Sequence, residues 1–278
     1  MDNRNKNVER EIDKIYNAVF KKIFNEAKKE NVIYDKSKLK ELILRFDNTR
    51  KYKKFCKEFA KQLTKKGLAN NRRIWKKYYQ AAKENHTISI PKNYSEFEMG
   101  LYKKIILHNF RLIKSIPKDI MEVYQYKYIN ALEGQVLEGK LGRKTFEKVL
   151  KESGATKAKL IARTESAKLQ TAITENNSKD LGSVCYRWRA SNDKRTRPSH
   201  KAMNNVIVFW RKDDEKPILD NMQGNAGEFP NCRCDTQPIF DEDDLDGVNF
   251  KVYDYRIHKV VDMSRERLIT CIQNKKII

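Results

Sequence analysis

The chain of 278 residues has no run of 18 apolar residues, so no helical membrane span is expected. Its first ten residues, Met1 to Arg10, are polar and charged and lack the apolar segment of a secretory signal, so no export signal is expected. Five cysteines, an odd number without an export signal, point to reduced thiols rather than a disulfide framework. Cys56 and Cys271 then read as ordinary helix-face residues. No internal repeat period is evident. Apolar residues make up 39%, somewhat below the globular norm, and charged residues 35%, above it. The large charged surface does not mean disorder, because 12 Phe, 13 Tyr and 3 Trp supply packing anchors. The length suffices for one or two domains with a buried core.

The net charge is +22, unevenly spread. Residues 1–200 hold 47 Lys/Arg against 23 Asp/Glu, whereas residues 201–250 hold 5 against 11. Residues 251–278 return to a basic balance of 7 against 3. A polycation of this kind attracts nucleic acid or an acidic protein through its long-range field, although solubility alone is a competing explanation.

Residues 1–150 read as a basic body of successive amphipathic helices. Ile12, Ile15, Val19 and Ile23 form one stripe. Leu39, Leu42, Ile43 and Phe46 form a second, with Asp35 or Ser37 as N-cap. Tyr52, Phe55, Cys56, Phe59 and Leu63 form a third, closed by Gly67. Ile74, Trp75, Tyr78, Tyr79 and Ala82 form a fourth. A break near residues 85–94, containing Pro91, is the best boundary in this half. A fifth helix is expected over about 95–114, and Pro117 should start another in its first turn. Gly139, Gly142 and Gly154 punctuate the next segments, and a long helix from about Thr156 to Thr174 carries Arg163-Thr164-Glu165.

After Gly182 the period changes to that of strands. Val184–Trp188, Val206–Trp210 and Cys232–Thr236 are the extended runs, with a loop from Lys212 to Phe229 between the last two. Asp241–Asp244 reads as an acidic turn, and a terminal helix covers about Ser264–Gln273. The expected fold class is α+β: a largely helical N-terminal body followed by a small C-terminal α+β domain with a short antiparallel sheet. The divisions are 1–150, 151–240 and 241–278.

Several groups of residues could carry chemistry. On a strand, Cys232 and Cys234 would point both sulfurs to one face and Arg233 to the other. With His200 they could hold zinc, the fourth ligand coming from Cys185, Asp193, Glu228 or water. The plainer alternative is two small buried residues and a helix-starting histidine. Asp193, Arg195, Arg197 and His200 could serve a phosphate-transfer or nuclease site, but a charged turn is the favoured reading, since no second carboxylate or nucleophile stands nearby. Arg163-Thr164-Glu165 reads as a buried polar clasp reaching to the strand layer, with a catalytic glutamate as the sharper alternative. Arg72, Arg73, Lys76 and Lys77 interleave with aromatics and could contact nucleic acid, although such a pattern is more often an amphipathic helix with its rings inward. No catalytic residue is assigned.

Taken in order, the helix Arg163-Thr164-Glu165, the strand Tyr186-x-Trp188, Asp193-x-Arg195-Thr196 followed by His200, and Asn231-Cys232-Arg233-Cys234 resemble the phage Mu protein F-like family of minor head, or head-morphogenesis, proteins. The resemblance covers roughly residues 150–240. Two positions depart from it: Asn205 stands where members commonly have Gly, and Phe229 where many have His, which removes one candidate metal ligand. The resemblance implies a non-enzymatic virion component of a tailed phage or prophage, inside the head and in the host cytoplasm during assembly. It implies association with the portal protein, other head proteins and packaged double-stranded DNA without sequence preference. An alternative from a different class is a phage-delivered enzyme, a metal-dependent nuclease or an ADP-ribosyl- or nucleotidyl-transferring effector using Arg163, Glu165, Asp193 and His200. A host nucleic-acid-binding protein is a third reading.

Overall fold

A computed structural model describes residues 6–32, 35–69, 72–84, 93–131, 143–211 and 215–274. Six helices come first: α1 (Lys6–Lys29), α2 (Lys36–Asn48), α3 (Arg50–Ala69), α4 (Arg72–Glu84), α5 (Tyr94–Ala131) and α6 (Arg143–Asp180). Then come β1 (Cys185–Arg189), the short α7 (Pro198–Ala202), β2 (Ile207–Phe209), β3 (Ile218–Leu219), β4 (Met222–Gln223) and β5 (Asp235–Ile239). A 3-10 turn at Glu242–Asp244, β6 (Asn249–Asp254), β7 (Lys259–Ser264) and α8 (Arg265–Gln273) complete the order. The class is α+β, as the change of hydrophobic period requires.

The chain forms two compact units. One joins Lys6–Lys66 with Ile106–Glu165, the other Gly67–Ile105 with Ser166–Ile278. The sequence boundary at 150 falls inside α6, which contributes to both. The break expected near 85–94 and the glycines Gly139 and Gly142 lie largely outside the described residues.

The first unit is a helical assembly whose core follows the sequence stripes. Ile15, Val19 and Ile23 of α1, Leu39, Leu42, Ile43 and Phe46 of α2, and Tyr52 and Cys56 of α3 are buried together with Ile113, Ile116 and Ile120 of α5. Asp35 caps α2 by accepting from the amides of Ser37 and Lys38, each at 3.0 Å, which satisfies two of the donors a helix start leaves free. Gly154 does not interrupt α6. A Cβ there would stand 2.5 Å from the Phe20 ring, so the missing side chain makes room for α1.

Two helix boundaries are corrected. Gly67 lies within α3 rather than closing it, and its bare Cα faces the Leu169 side chain, which a Cβ would meet at 3.2 Å. Pro117 lies inside α5 instead of starting a new helix. A proline has no N–H for the carbonyl four residues earlier, here that of Ile113. The Tyr52 hydroxyl supplies the donor at 2.5 Å, so the helix continues.

The second unit holds a five-stranded sheet in the order β5-β1-β2-β6-β7. All pairs are antiparallel except β2 with β6, joined at Ile207 and Val252, so the sheet is mixed rather than purely antiparallel. Its core includes Tyr186, Trp188, Val206–Trp210, Val252, Tyr253 and Leu268. The hairpin of β6 and β7 fills a stretch where sequence pattern indicated only an acidic turn and a helix. Phe250, Val252 and Tyr253 turn inward there against polar neighbours. The acidic turn itself is present, capped by Asp241 on the amides of Asp243 and Asp244. In the same unit Trp75, Tyr79 and Ala82 of α4 pack with Phe97 and Leu181, and Tyr78 stacks on Phe240 with ring centroids 4.9 Å apart.

Candidate functional site

The site is assembled from the segment between β1 and β2 and the segment leading into β5. Asp193 folds its own loop. Its carboxylate accepts from the Arg195 amide at 2.9 Å and from the Thr196 hydroxyl at 3.2 Å, and its carbonyl accepts from the Thr196 amide at 3.0 Å. This accounts for Asp-x-Arg-Thr as a side-chain-closed turn. The turn delivers the chain into α7, which has Pro198 at its start and carries His200.

On the opposite segment Gly227 has φ +91° and Asn231 φ +55°, backbone values that Gly and Asn adopt most readily. Thr171 of α6 donates to the carbonyl of Ala226 at 2.7 Å and so fixes where this segment begins. Nothing in the sequence marked Thr171 for this role. Asn205 has φ +64°, so asparagine serves at the position where glycine was expected.

Two polar links close the segments onto each other. Arg233 grips both oxygens of Asp193 with its two Nη atoms, the Nη2–Oδ1 contact being 2.6 Å. Partial burial works against ionisation of Asp193, but the bonds from Arg233, the Arg195 amide and Thr196 outweigh it and hold the carboxyl below its ordinary value. Arg197 donates to the carbonyl of Pro230 at 3.0 Å. Asp193 therefore serves a turn and an ion pair rather than capping α7.

Between these links His200, Cys232 and Cys234 are buried, at 2%, 6% and 7% exposure. Cys232 and Cys234 precede β5 rather than lying in it, yet both sulfurs converge on the same imidazole nitrogen. Nδ1 is 3.4 Å from Cys232 Sγ and 3.5 Å from Cys234 Sγ. The Cys234 amide also donates to Cys232 Sγ at 3.4 Å. The Cys232 thiol is lowered, first by the hydrogen bond from Cys234 and also by His200 and that amide, while the Cys234 thiol is pushed up by its bond to Cys232 and by burial. The Trp188 ring lies edge-on to His200, with centroids 5.8 Å apart. Phe229, which stands where many members of the resembled family have histidine, packs its ring on His200 at 4.8 Å.

A polar pocket of about 220 Å³ opens on the cluster, lined by Ser191, Thr196, Asn231 and the guanidinium-bearing Arg195, Arg197 and Arg233 beside the three candidate ligands. No carboxylate is among its lining residues. The expected fourth ligands are elsewhere or engaged: Cys185 sits in the sheet core, Asp193 holds Arg233, and Glu228 accepts from Lys216 at 2.9 Å and from the Asn225 amide at 2.7 Å.

Of the other sequence candidates, Trp188 borders this cluster through its edge-on contact with His200, and the rest fall apart from it. Tyr186 and Trp188 are buried sheet residues, and the Tyr186 hydroxyl donates to Asn225 at 3.0 Å. Arg163 belongs to the helical unit. Its Nε lies 3.5 Å from Glu9 of α1, because α6 at that point packs within the helical unit. Thr164 is buried, and Glu165 lines a separate pocket with His108, Arg111 and Asp119. On α4, Trp75 and Tyr79 turn inward, Arg73, Lys76 and Lys77 are exposed, and Arg72 pairs with Glu98 at 2.6 Å.

Residues 127–237 match the family described as Phage Mu protein F like protein, which starts ahead of the boundary drawn from the motifs and ends at β5. The resemblance read from the ordered motifs holds over that segment, and the family is phage-head-related. An uncharacterized protein of Haemophilus influenzae is 32% identical over 139 residues, covering 49% of this chain. The chain spans 29% of that relative's length. No solved structure matches.

Proposed function

We propose that this chain is a minor head protein of a tailed phage or prophage that acts in head morphogenesis by binding rather than catalysis. The observation that carries this reading is the use made of the motif residues in the matched segment. Asp193, Arg233, Arg197, His200, Cys232 and Cys234 are engaged with one another and with the loop backbone, joining two loops across the end of the sheet. The groups a hydrolytic site could draw on here are tied into the loop: Arg233 holds the Asp193 carboxylate, and the Ser191 and Thr196 hydroxyls stand 3.0 Å apart with Thr196 also bonded to Asp193, which supports a structural use. The net charge of +22 suits a protein lying against packaged double-stranded DNA without reading its sequence. The helical unit would then meet the portal and other head proteins, and the chain would reside inside the head.

Quantitative mass spectrometry of purified mature particles tests the proposal. A few copies per particle are expected. Absence from mature particles would leave either a transient assembly factor or no virion role, and the phage-delivered enzyme would then be assayed by plasmid nicking with added divalent metal against His200→Ala.

A further inference from the structure

His200 Nδ1 has a single lone pair, yet two sulfurs stand 3.4 and 3.5 Å from it. One S–H···N hydrogen bond engages only one of them and leaves the other to its neighbouring sulfur. A cation at the centre satisfies all three atoms at once. Tetrahedral zinc, with metal–sulfur bonds of about 2.3 Å and a metal–nitrogen bond of about 2.0–2.1 Å, sets the sulfur–nitrogen separation at roughly 3.6 Å. The two observed separations are close to that value, and the three ligand atoms all lie within 4.8 Å of one another.

We propose that His200, Cys232 and Cys234 bind one thiophilic divalent cation of the zinc class, with the fourth coordination position turned to the arginine-lined pocket. Three further features fit. Two thiolates and an imidazole select zinc over magnesium or calcium, which require oxygen ligands. The Cys234 amide donates to Cys232 Sγ at 3.4 Å, an interaction that favours the thiolate. Arg195, Arg197 and Arg233 line the same pocket and oppose the charge of two buried thiolates.

Among the described residues no fourth protein ligand joins the set. Water or a small anion from the pocket completes the tetrahedron, within reach of Ser191, Thr196 and Asn231, which line the same space. Ligation through Nδ1 leaves the proton on Nε2, so the 3.5 Å contact with Arg197 Nη1 then sets donor against donor. Arg197 keeps its bond to Pro230, and the Nε2 contact is the one that lengthens. The ion would staple the α7 segment to the segment entering β5, whether or not the chain belongs to a phage head.

The test uses the full chain, purified without chelator and reduced. After dialysis, elemental analysis should give about one zinc per chain. Removing zinc and titrating cobalt(II) into the unaltered chain should produce a sulfur-to-cobalt charge-transfer band that saturates at one equivalent. His200→Ala and Cys232→Ser should each abolish stoichiometric zinc, while Cys56→Ser should retain it. No stoichiometric zinc in the unaltered chain, with no charge-transfer band on cobalt addition and an unchanged circular-dichroism spectrum, overturns the proposal. So does full zinc retention by Cys232→Ser. If the variants fail to fold, the cobalt titration of the unaltered chain still decides.

Discussion

The Tyr52 hydroxyl donates to the carbonyl of Ile113 at 2.5 Å, across 61 residues, and takes the place of the N–H that Pro117 lacks. Tyr52→Phe leaves that buried carbonyl without a donor and should cost about 1–3 kcal/mol in urea unfolding. In a Pro117→Ala background the backbone amide returns, so the same substitution should cost much less. Equal costs in both backgrounds would mean that the hydroxyl does not compensate for the proline.

Gly227, at φ +91°, leaves no room for a side chain. A Cβ would stand 2.7 Å from Thr171 Oγ1 and 3.2 Å from the Cys234 carbonyl. Gly227→Ala combines left-handed strain with overpacking and should cost about 2–4 kcal/mol. Thr171→Val, which only removes the hydrogen bond to Ala226, should cost about 1 kcal/mol. Thermal denaturation of the two variants gives the order, and a harmless Gly227→Ala would contradict the close approach.

The Asp193–Arg233 pair joins the two loops, and Arg233 keeps only 11% of its side chain exposed. Arg233→Met should be tolerated better when combined with Asp193→Ala than Asp193→Ala is alone, because the single change strands a mostly buried guanidinium. Limited proteolysis between β1 and β2 reads the effect. Additive losses would show that the pair is not a unit.

Asp119 lies beside Glu122, Lys157 and Glu165 and shares a pocket with His108 and Arg111. Burial, with Glu122 and Glu165 adding to it, pushes its carboxyl up to about 6. The folded state therefore holds this proton more tightly than the unfolded state, whose value is about 3.9. Below about pH 4 the group costs nothing, and its destabilising contribution grows as pH rises through about 4 to 6 and is complete above that window. Asp119→Asn should raise stability by about 1 kcal/mol at neutral pH, after allowance for solvent screening, and leave it unchanged near pH 4. An equal gain at both pH values would refute the assignment.

Arg73, Lys76 and Lys77 project from α4 while Trp75 and Tyr79 are buried. If they neutralise DNA phosphates, replacing all three by Glu should weaken binding equally for unrelated duplexes. The log–log salt slope should fall by about 0.9 for each phosphate no longer neutralised. Fluorescence anisotropy across a salt series measures both. A weakening confined to one duplex would indicate base reading instead.

Where the sequence was legible, the signal was local. The stripes of α1, α2 and α3 and the Asp35 cap are contained within a few helical turns, and each is found where its spacing puts it. The hairpin β6–β7 was missed because the burial of β6 does not alternate cleanly, Val252, Tyr253 and Asp254 all being buried, and because an acidic run beside it dominates the local pattern. The contact of Arg163 with Glu9 was not legible, because a motif fixes the order of residues along a helix, not which neighbour that face meets.

The sequence by itself determined the α+β class, the helical stripes and the identity of the Asp193, His200 and Asn231–Cys234 motifs, since helical period, turn chemistry and residue type are properties of short segments. Only the tertiary structure decided that α5 runs through Pro117, that Asp193 meets Arg233, and that two thiols converge on one imidazole nitrogen. Those pairings span 61, 40 and up to 34 residues. Pairings at such separations depend on how whole elements pack, which no local pattern encodes.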